Sequence, residues 1–223
     1  MKKKWYLYLS IVLVSIFFML LISCQDSAKV YTYQDDFEVF NQEFWFKRSG
    51  ILGRTNLRPE NIILDNGELS IKLPGQTLDG GEIQSIDELG FGSYEVKMKL
   101  PDAPSSITGF FLYKEPDFYH EIDIEVYNEP KAYIVFTSYE DGQAANEHRE
   151  YLNFDPTLDY HEYRIDYYSD KIAFYVDDKR MHNWHEGFSK EKMHLALNAW
   201  YPKWLGGIKQ EEDSFLYVDW IRY

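Results

Sequence analysis

Tyr119-His120-Glu121-Ile122-Asp123-Ile124-Glu125-Val126 alternates acid and aliphatic without a break. A strand repeats every two residues, so Glu121, Asp123 and Glu125 project from one face. Ile122, Ile124 and Val126 project from the other, where they can be buried. Three carboxylates in a row repel one another, so stability alone gives little reason to place them there. The ordinary use of such a run is the solvated face of an edge strand, where charge discourages pairing. Here, however, the run is bracketed by Phe118, Tyr119 and Tyr127 instead of lysines, and strand-like segments lie on both sides. An interior strand is expected.

Working outward, the chain is a series of short alternating segments separated by turn signals. Asn61 to Leu64 leads through Asp65-Asn66-Gly67, a hairpin-type turn, into Glu68 to Leu73. Further strands are expected at Tyr94–Leu100, Gly109–Tyr113, Ala132–Tyr139, Tyr163–Tyr168, Lys171–Val176, Met193–Trp200 and Phe215–Tyr223. Asp177-Asp178 opens another turn. Helical periodicity is essentially absent, with one turn expected at Ser189 to Lys192. So many strands in one domain predict an all-β fold, a jelly-roll β-sandwich of two antiparallel sheets. If one sheet curves, its concave face becomes a groove for an extended ligand.

The ends and composition bound the setting. Lys2, Lys3 and Lys4 precede an apolar run from Trp5 to Ile22, which closes with Leu21-Ile22-Ser23-Cys24. Cys24, the only cysteine, follows the run as in the lipobox of bacterial lipoproteins, where the cysteine is acylated. The alternative is an uncleaved anchor, since a run of about 18 residues is near the lower spanning limit. Either way the rest is expected outside the cytoplasm, tethered to a membrane. The expected organisation is a signal peptide at 1–23, a tether at 24–35 and one domain at 36–223. No cysteine remains for a disulfide there, so the fold must rest on its core. Net charge is −14, and removing the three signal lysines leaves −17. That argues against nucleic acid and against a basic membrane-docking face. Aromatics make up 18% of the chain, including 19 Tyr and 6 Trp. They suit a β-rich core and also a sugar cleft, because pyranose rings present apolar faces. A monomer is the default expectation.

The acidic strand suits glycosidic-bond hydrolysis, which needs two carboxyl groups in different protonation states. Glu121 and Glu125 are four residues apart, so their Cα atoms lie about 13 Å apart along a strand. Retaining enzymes need the carboxyl groups about 5–5.5 Å apart. Two long Glu side chains leaning together on a concave strand close much of that gap. The shorter Asp123 between them can hydrogen-bond to either and bias which keeps its proton. The residues alone do not say which Glu plays which part.

Glu-Ile-Asp-Ile-Glu resembles the active-site signature of glycoside hydrolase family 16, in the form typical of bacterial β-1,3-1,4-glucanases. Gly81–Ser85 with Gly90–Met98, Phe110–Tyr113, His161-Glu162-Tyr163 with Phe174–Asp177, Asn198-Ala199-Trp200 with Trp204-Leu205-Gly206, and Val218–Tyr223 are similar to further family motifs. The resemblance spans roughly residues 36 to 223, in the family's order. It implies an endo-acting hydrolase that cuts a β-linked glucan, β-1,3-1,4-glucan foremost, with retention. Glu121 would be the nucleophile, Glu125 the general acid/base and Asp123 the electrostatic helper.

Substrate-binding candidates are Glu82, Gln84, Phe111, Tyr113, Tyr119, Thr137, Tyr139, Asn198, Trp200 and Trp204. Asn198 and Trp200 share one strand face, and a side-chain amide there needs a partner. The chain departs from the β-1,3-1,4-glucanase pattern at Tyr119-His120 (usually Trp-Asp), Gln84 (Arg) and Thr137 (Asn). His120 should point away from the catalytic face. The resemblance implies no cofactor for the chemistry, but a structural Ca²⁺ on the convex side, with Asp219 and Gly67 as contributors. The sequence itself holds no dense oxygen-ligand loop of the calcium-binding kind. Alternatives are other activities of the family, on β-1,3-glucan or galactan or in transglycosylation, and a non-catalytic glycan-binding surface lipoprotein.

Overall fold

The computed structural model describes residues 31–223; the apolar run and Cys24 lie outside the described residues. Seventeen strands follow in chain order. The first seven are β1 (Gln34–Asp35), β2 (Trp45–Lys47), β3 (Gly50–Leu52), β4 (Thr55–Leu57), β5 (Ile62–Asp65), β6 (Glu68–Leu73) and β7 (Gly81–Ser85). Then come β8 (Gly92–Lys99), β9 (Ile107–Lys114), β10 (His120–Tyr127), β11 (Tyr133–Glu140) and β12 (Gln143–Tyr151). The last five are β13 (His161–Tyr168), β14 (Lys171–Val176), β15 (Lys179–Trp184), β16 (His194–Trp200) and β17 (Ser214–Arg222). A 3₁₀ turn at Pro59–Asn61 is the only helical element among the described residues.

The strands form two large antiparallel sheets. One runs β12-β11-β10-β9-β16-β7-β2; the other runs β15-β14-β13-β8-β17-β6-β5, with β1 added beside β17. A separate hairpin joins β3 and β4. This is the expected all-β sandwich. The acidic strand β10 is central, paired with β9 on one side and β11 on the other. Its aliphatic face (Ile122, Ile124, Val126) is fully buried against the core shared by the sheets, with Phe110, Phe136, Phe174 and Tyr163. Its acidic face therefore points out of the sandwich.

Turn chemistry fixes the register. Asn66 and Gly67 both have positive φ, as do Asp141 and Gly142 between β11 and β12. Paired left-handed residues match the twist of the strands they join, and Asn, Asp and Gly tolerate them best. Asp177 and Asp178 do the same between β14 and β15.

Two expectations change. Residues 32–35, placed in the tether, belong to the fold: Gln34 and Asp35 pair with Arg222 and Ile221, and the Thr32 amide donates to the Tyr223 carbonyl at 2.7 Å. Ser189 to Lys192 form no helical turn. The carbonyls of Ser189 and Glu191 instead both accept from the Tyr167 hydroxyl, at 3.1 and 2.7 Å, which ties this connection to β13.

Candidate active site

The acidic face of β10 floors a cleft of about 480 Å³ on the outer side of the seven-stranded sheet. Register sets what surrounds each carboxyl. Glu121 lies between Tyr113 on β9 and Tyr139 on β11; Asp123 lies between Phe111 and Thr137; Glu125 lies between Gly109 and Val135. Gly109 is constrained from its other side, because a β-carbon there would come within 2.7 Å of Asn198 Oδ1. The lack of a side chain also leaves room beside Glu125.

The three carboxyls are held without a cation on the floor. Burial, then the charge of Glu125, then Asp117, push Glu121 up, while a hydrogen bond with Asp123 works the other way. Burial and the two flanking glutamates hold Asp123 well above the usual carboxylate range. Asp123 is thus the proton donor in its bond to Glu121, which favours the ionised form of Glu121. Glu125 is pushed up to about 7 by burial and by Glu147, with Arg149 opposing. Glu121 and Asp123 share their protons as a pair. Near neutral pH the trio can present one protonated acid and one carboxylate on the same face.

One wall is a buried polar chain. Glu82 is fully buried, with Arg48 Nη1 2.9 Å from its Oε1. Asn198 Nδ2 donates to Glu82 Oε2 at 3.0 Å, and Asn198 Oδ1 accepts from the Gly109 amide at 3.1 Å. The amide has the partners that its placement demanded. Next to it the edge of Trp204 meets Trp200 (centroids 5.4 Å, interplanar angle 84°). Trp204 is 61% exposed, an indole left open at the cleft mouth. On the far side the edge strand β12 contributes Glu147 and Arg149.

Of the expected residues, the cleft gathers Glu121, Asp123, Glu125, Glu82, Phe111, Tyr113, Thr137, Tyr139, Asn198, Trp200 and Trp204. Two do not line it. Gln84 shares the face of Glu82 but sits two residues farther along β7, opposite Ala196. Tyr119 precedes β10 and lies against the β11–β12 turn, where a β-carbon on Gly142 would meet its ring at 3.2 Å. Phe118, with φ +68°, turns the chain just before it and faces the cleft in its place. His120 points away, as expected, with Nδ1 2.8 Å from Ser189 Oγ. Residues that the sequence did not flag are Arg48, Asp117, Phe118, Glu147 and Arg149. Glu147-His148-Arg149-Glu150 is polar on both strand faces, so no apolar alternation announced β12.

The donor set expected for calcium is not assembled. Asp219 Oδ2 pairs with Lys97 Nζ at 2.7 Å, so an ammonium already neutralises it. Gly67 faces the Glu38 carboxylate across its turn. Among the described residues no group of three or more His, Cys, Asp or Glu side chains is arranged to hold a metal. These residues do not fit a calcium ion bound through the Asp219 carboxylate.

A two-sheet sandwich with a carboxyl trio along an open trough is the arrangement of an enzyme that cuts chain-like glycans. The family model "Glycosyl hydrolases family 16" matches residues 54–222, and the chain belongs to that family of glycosyl hydrolases. It is 28% identical to a beta-glucanase of Bacillus subtilis (strain 168), over 96% of each chain. The solved beta-glucanase of Bacillus licheniformis superposes with a TM-score of 0.78 at 27% identity, covering 86% of this chain and 96% of that one. A prokaryotic beta-1,3-1,4-glucanase (lichenase) from a mouse hindgut metagenome shares the fold, with a TM-score of 0.77 at 24% identity, covering 86% and 97%.

Proposed function

We propose that this protein is a retaining endo-β-glucanase acting on β-1,3-1,4-glucan. The observation that carries the reading is the acidic face of β10, whose three carboxyls, Asp123 buried and the two glutamates half-buried, floor an aromatic-walled cleft. The relatives named beta-glucanase, and the lichenase that shares the fold, support the choice of glucan. Glu121 attacks the anomeric carbon while protonated Glu125 delivers its proton to the departing glycosidic oxygen. Deprotonated Glu125 then takes a proton from water, which releases the glycosyl group from Glu121 with the original configuration. Asp123 donates its hydrogen bond to Glu121 and steadies that oxygen as its charge is spent and recovered. Trp204 offers an exposed ring to sugar units beyond the cleavage point, and the buried Trp200 packed at its edge backs it.

The protein is further read as a lipoprotein held outside the cytoplasm through Cys24. The support is the basic start, the apolar run and the Ser23-Cys24 junction. Labelled palmitate should enter the wild-type protein and not Cys24→Ser, which should leave the membrane fraction.

The test of the activity is an endo-hydrolysis screen of residues 25–223 on barley mixed-linkage glucan, laminarin, xyloglucan and agarose. Mixed-linkage glucan should be cut internally, and Glu121→Gln should abolish the cut. Cleavage of laminarin or agarose alone would move the specificity and keep the mechanism. Binding to a polymer without cleavage of any would overturn the enzyme reading in favour of a glycan-binding lipoprotein.

A further inference from the structure

The connection from β9 to β10 is a short turn that does more than link two strands. Tyr113 and Tyr139 are the two cross-strand partners of Glu121, one on each side. The turn reaches both. The Tyr113 hydroxyl donates to Asp117 Oδ1 at 2.5 Å. The Phe118 ring packs on Tyr139 with centroids 5.2 Å apart. Both turn residues line the cleft. We propose that Asp117 and Phe118 form a clamp that positions Tyr113 and Tyr139 on either side of Glu121 and so sets the geometry and charge around the attacking carboxylate. The proposal rests on the reading of the trough as a glucan cleft with Glu121 as its nucleophile.

Three observations support the clamp. Phe118 has φ +68°, a conformation that costs a bulky side chain and that glycine would adopt freely. Keeping an aromatic residue there, 51% exposed, makes sense if its ring is needed where it lies. The turn is also tied down. The Gly142 amide donates to the Phe118 carbonyl at 3.0 Å, and the Tyr119 amide donates to the Pro116 carbonyl at 3.2 Å. Finally, Asp117 adds a negative charge near Glu121. The other groups facing Glu121 are Asp123 and Glu125 on its own strand, Tyr113 on β9, Tyr139 on β11, and Glu82 with its Arg48. Asp117 is a positioning residue, since it reaches the chemistry through Tyr113 and through its field.

Two variants test it. Asp117→Asn keeps the shape of the turn and removes the charge. In the free protein, the Glu121 side-chain titration followed by carbon NMR should shift to lower pH by about half a unit or more. The acid limb of kcat/KM should move the same way. The loss in kcat/KM should be about tenfold and should not multiply with that of Tyr113→Phe, because both act on one contact: the neutral Asn oxygen accepts the Tyr113 hydroxyl more weakly than the carboxylate, and Phe has no hydroxyl to donate. Phe118→Gly relieves the backbone and deletes the ring. Melting should hold or rise while kcat/KM falls about tenfold, a split that a merely structural residue would not give. An unmoved Glu121 titration, together with full activity in Phe118→Gly, would overturn the clamp. If glucan is cut while both of those results hold, the clamp fails alone. If the titration moves but no β-glucan is bound or cut, the clamp stands and the substrate reading falls.

Discussion

Glu125 and Glu95 occupy matching positions on opposite outer faces of the sandwich. Each lies on a central strand and points away from the shared core; Glu95 is buried and Glu125 half-buried on the cleft floor. Their surroundings are opposite. Glu95 on β8 is 1% exposed and gripped by two guanidinium groups, with Arg222 Nη2 at 2.8 Å and Arg164 Nη1 at 3.4 Å. Arg164 in turn reaches Asp178 at 2.6 Å and Asp166 at 3.1 Å, and lies 3.8 Å over the Tyr175 ring. Glu125 sits beside Asp123, with a second carboxylate, Glu147, raising the cost of its charge. One face sets two arginines on a buried carboxylate; the other places three acids side by side on the cleft floor, with Arg149 working against the rise only at Glu125. A fold selected for stability alone would treat them alike. The unneutralised set marks the chemistry.

The largest effects test that contrast through activity. Glu121→Gln and Glu125→Gln should each lower kcat/KM on mixed-linkage glucan by at least about 10³-fold, since each removes a group that moves charge or a proton in the transition state. The two should differ in a telling way. An aryl glycoside with a good leaving group needs no proton to depart, so Glu125→Gln should still form its glycosyl-enzyme rapidly while Glu121→Gln should not. Rapid arylglycoside turnover by Glu121→Gln, blocked in Glu125→Gln, would exchange their roles. Arg164→Met belongs to the other face. It strips Glu95 of one partner and should cost roughly 3–5 kcal/mol, or about 10 °C in Tm, with kcat/KM per folded molecule unchanged. A loss of activity without a loss of stability would break the division between the faces.

The legibility of the two faces differed for physical reasons. The acidic strand announced itself because strand period and burial leave one arrangement: the aliphatics had to go inward and the acids outward. The Asn66-Gly67 turn and the Lys171–Val176 strand were readable on the same local grounds. Arg48 was not, because it reaches Glu82 across 34 residues of sequence and no local pattern carries that contact. Strand β12 escaped because it is an edge strand with no buried residue: Asn146, His148 and Glu150 on its half-covered face are as polar as Glu147 and Arg149 on the other, so no apolar alternation marks it. Tyr119 was expected in the cleft from its place in the family pattern just before Glu121, but with Phe118 at positive φ before the strand begins it is Phe118 that lines the cleft. Gln84 shared the right face and still missed the cleft, since parity fixes a side of the sheet and not a depth along it. Nothing local in Asp219 revealed that Lys97 would already be paired with it.

The smallest effect is the sharpest, because the same substitution should act with opposite sign on the two faces. The carboxyl of Glu125 is raised from its ordinary 4.5 to about 7 in the folded protein. Below about pH 4.5 both folded and unfolded states are protonated there, and the group costs nothing. Between 4.5 and 7 the unfolded chain ionises while the folded one resists, so stability falls as pH rises, and above 7 the penalty is complete. That shift corresponds to at most ~3 kcal/mol, and to less where water reaches the carboxyl. Glu125→Gln does not titrate. It should therefore melt above the wild type at pH 8, by several degrees, with the gap closing by pH 4. Glu95→Gln should melt below the wild type at pH 8, because it leaves Arg164 and Arg222 facing an uncharged amide in a buried site. Thermal scans of the three proteins across that range decide the matter. If Glu125→Gln is no more stable than wild type at pH 8, then the cleft carboxyls are compensated after all, and the contrast between the faces loses its electrostatic basis.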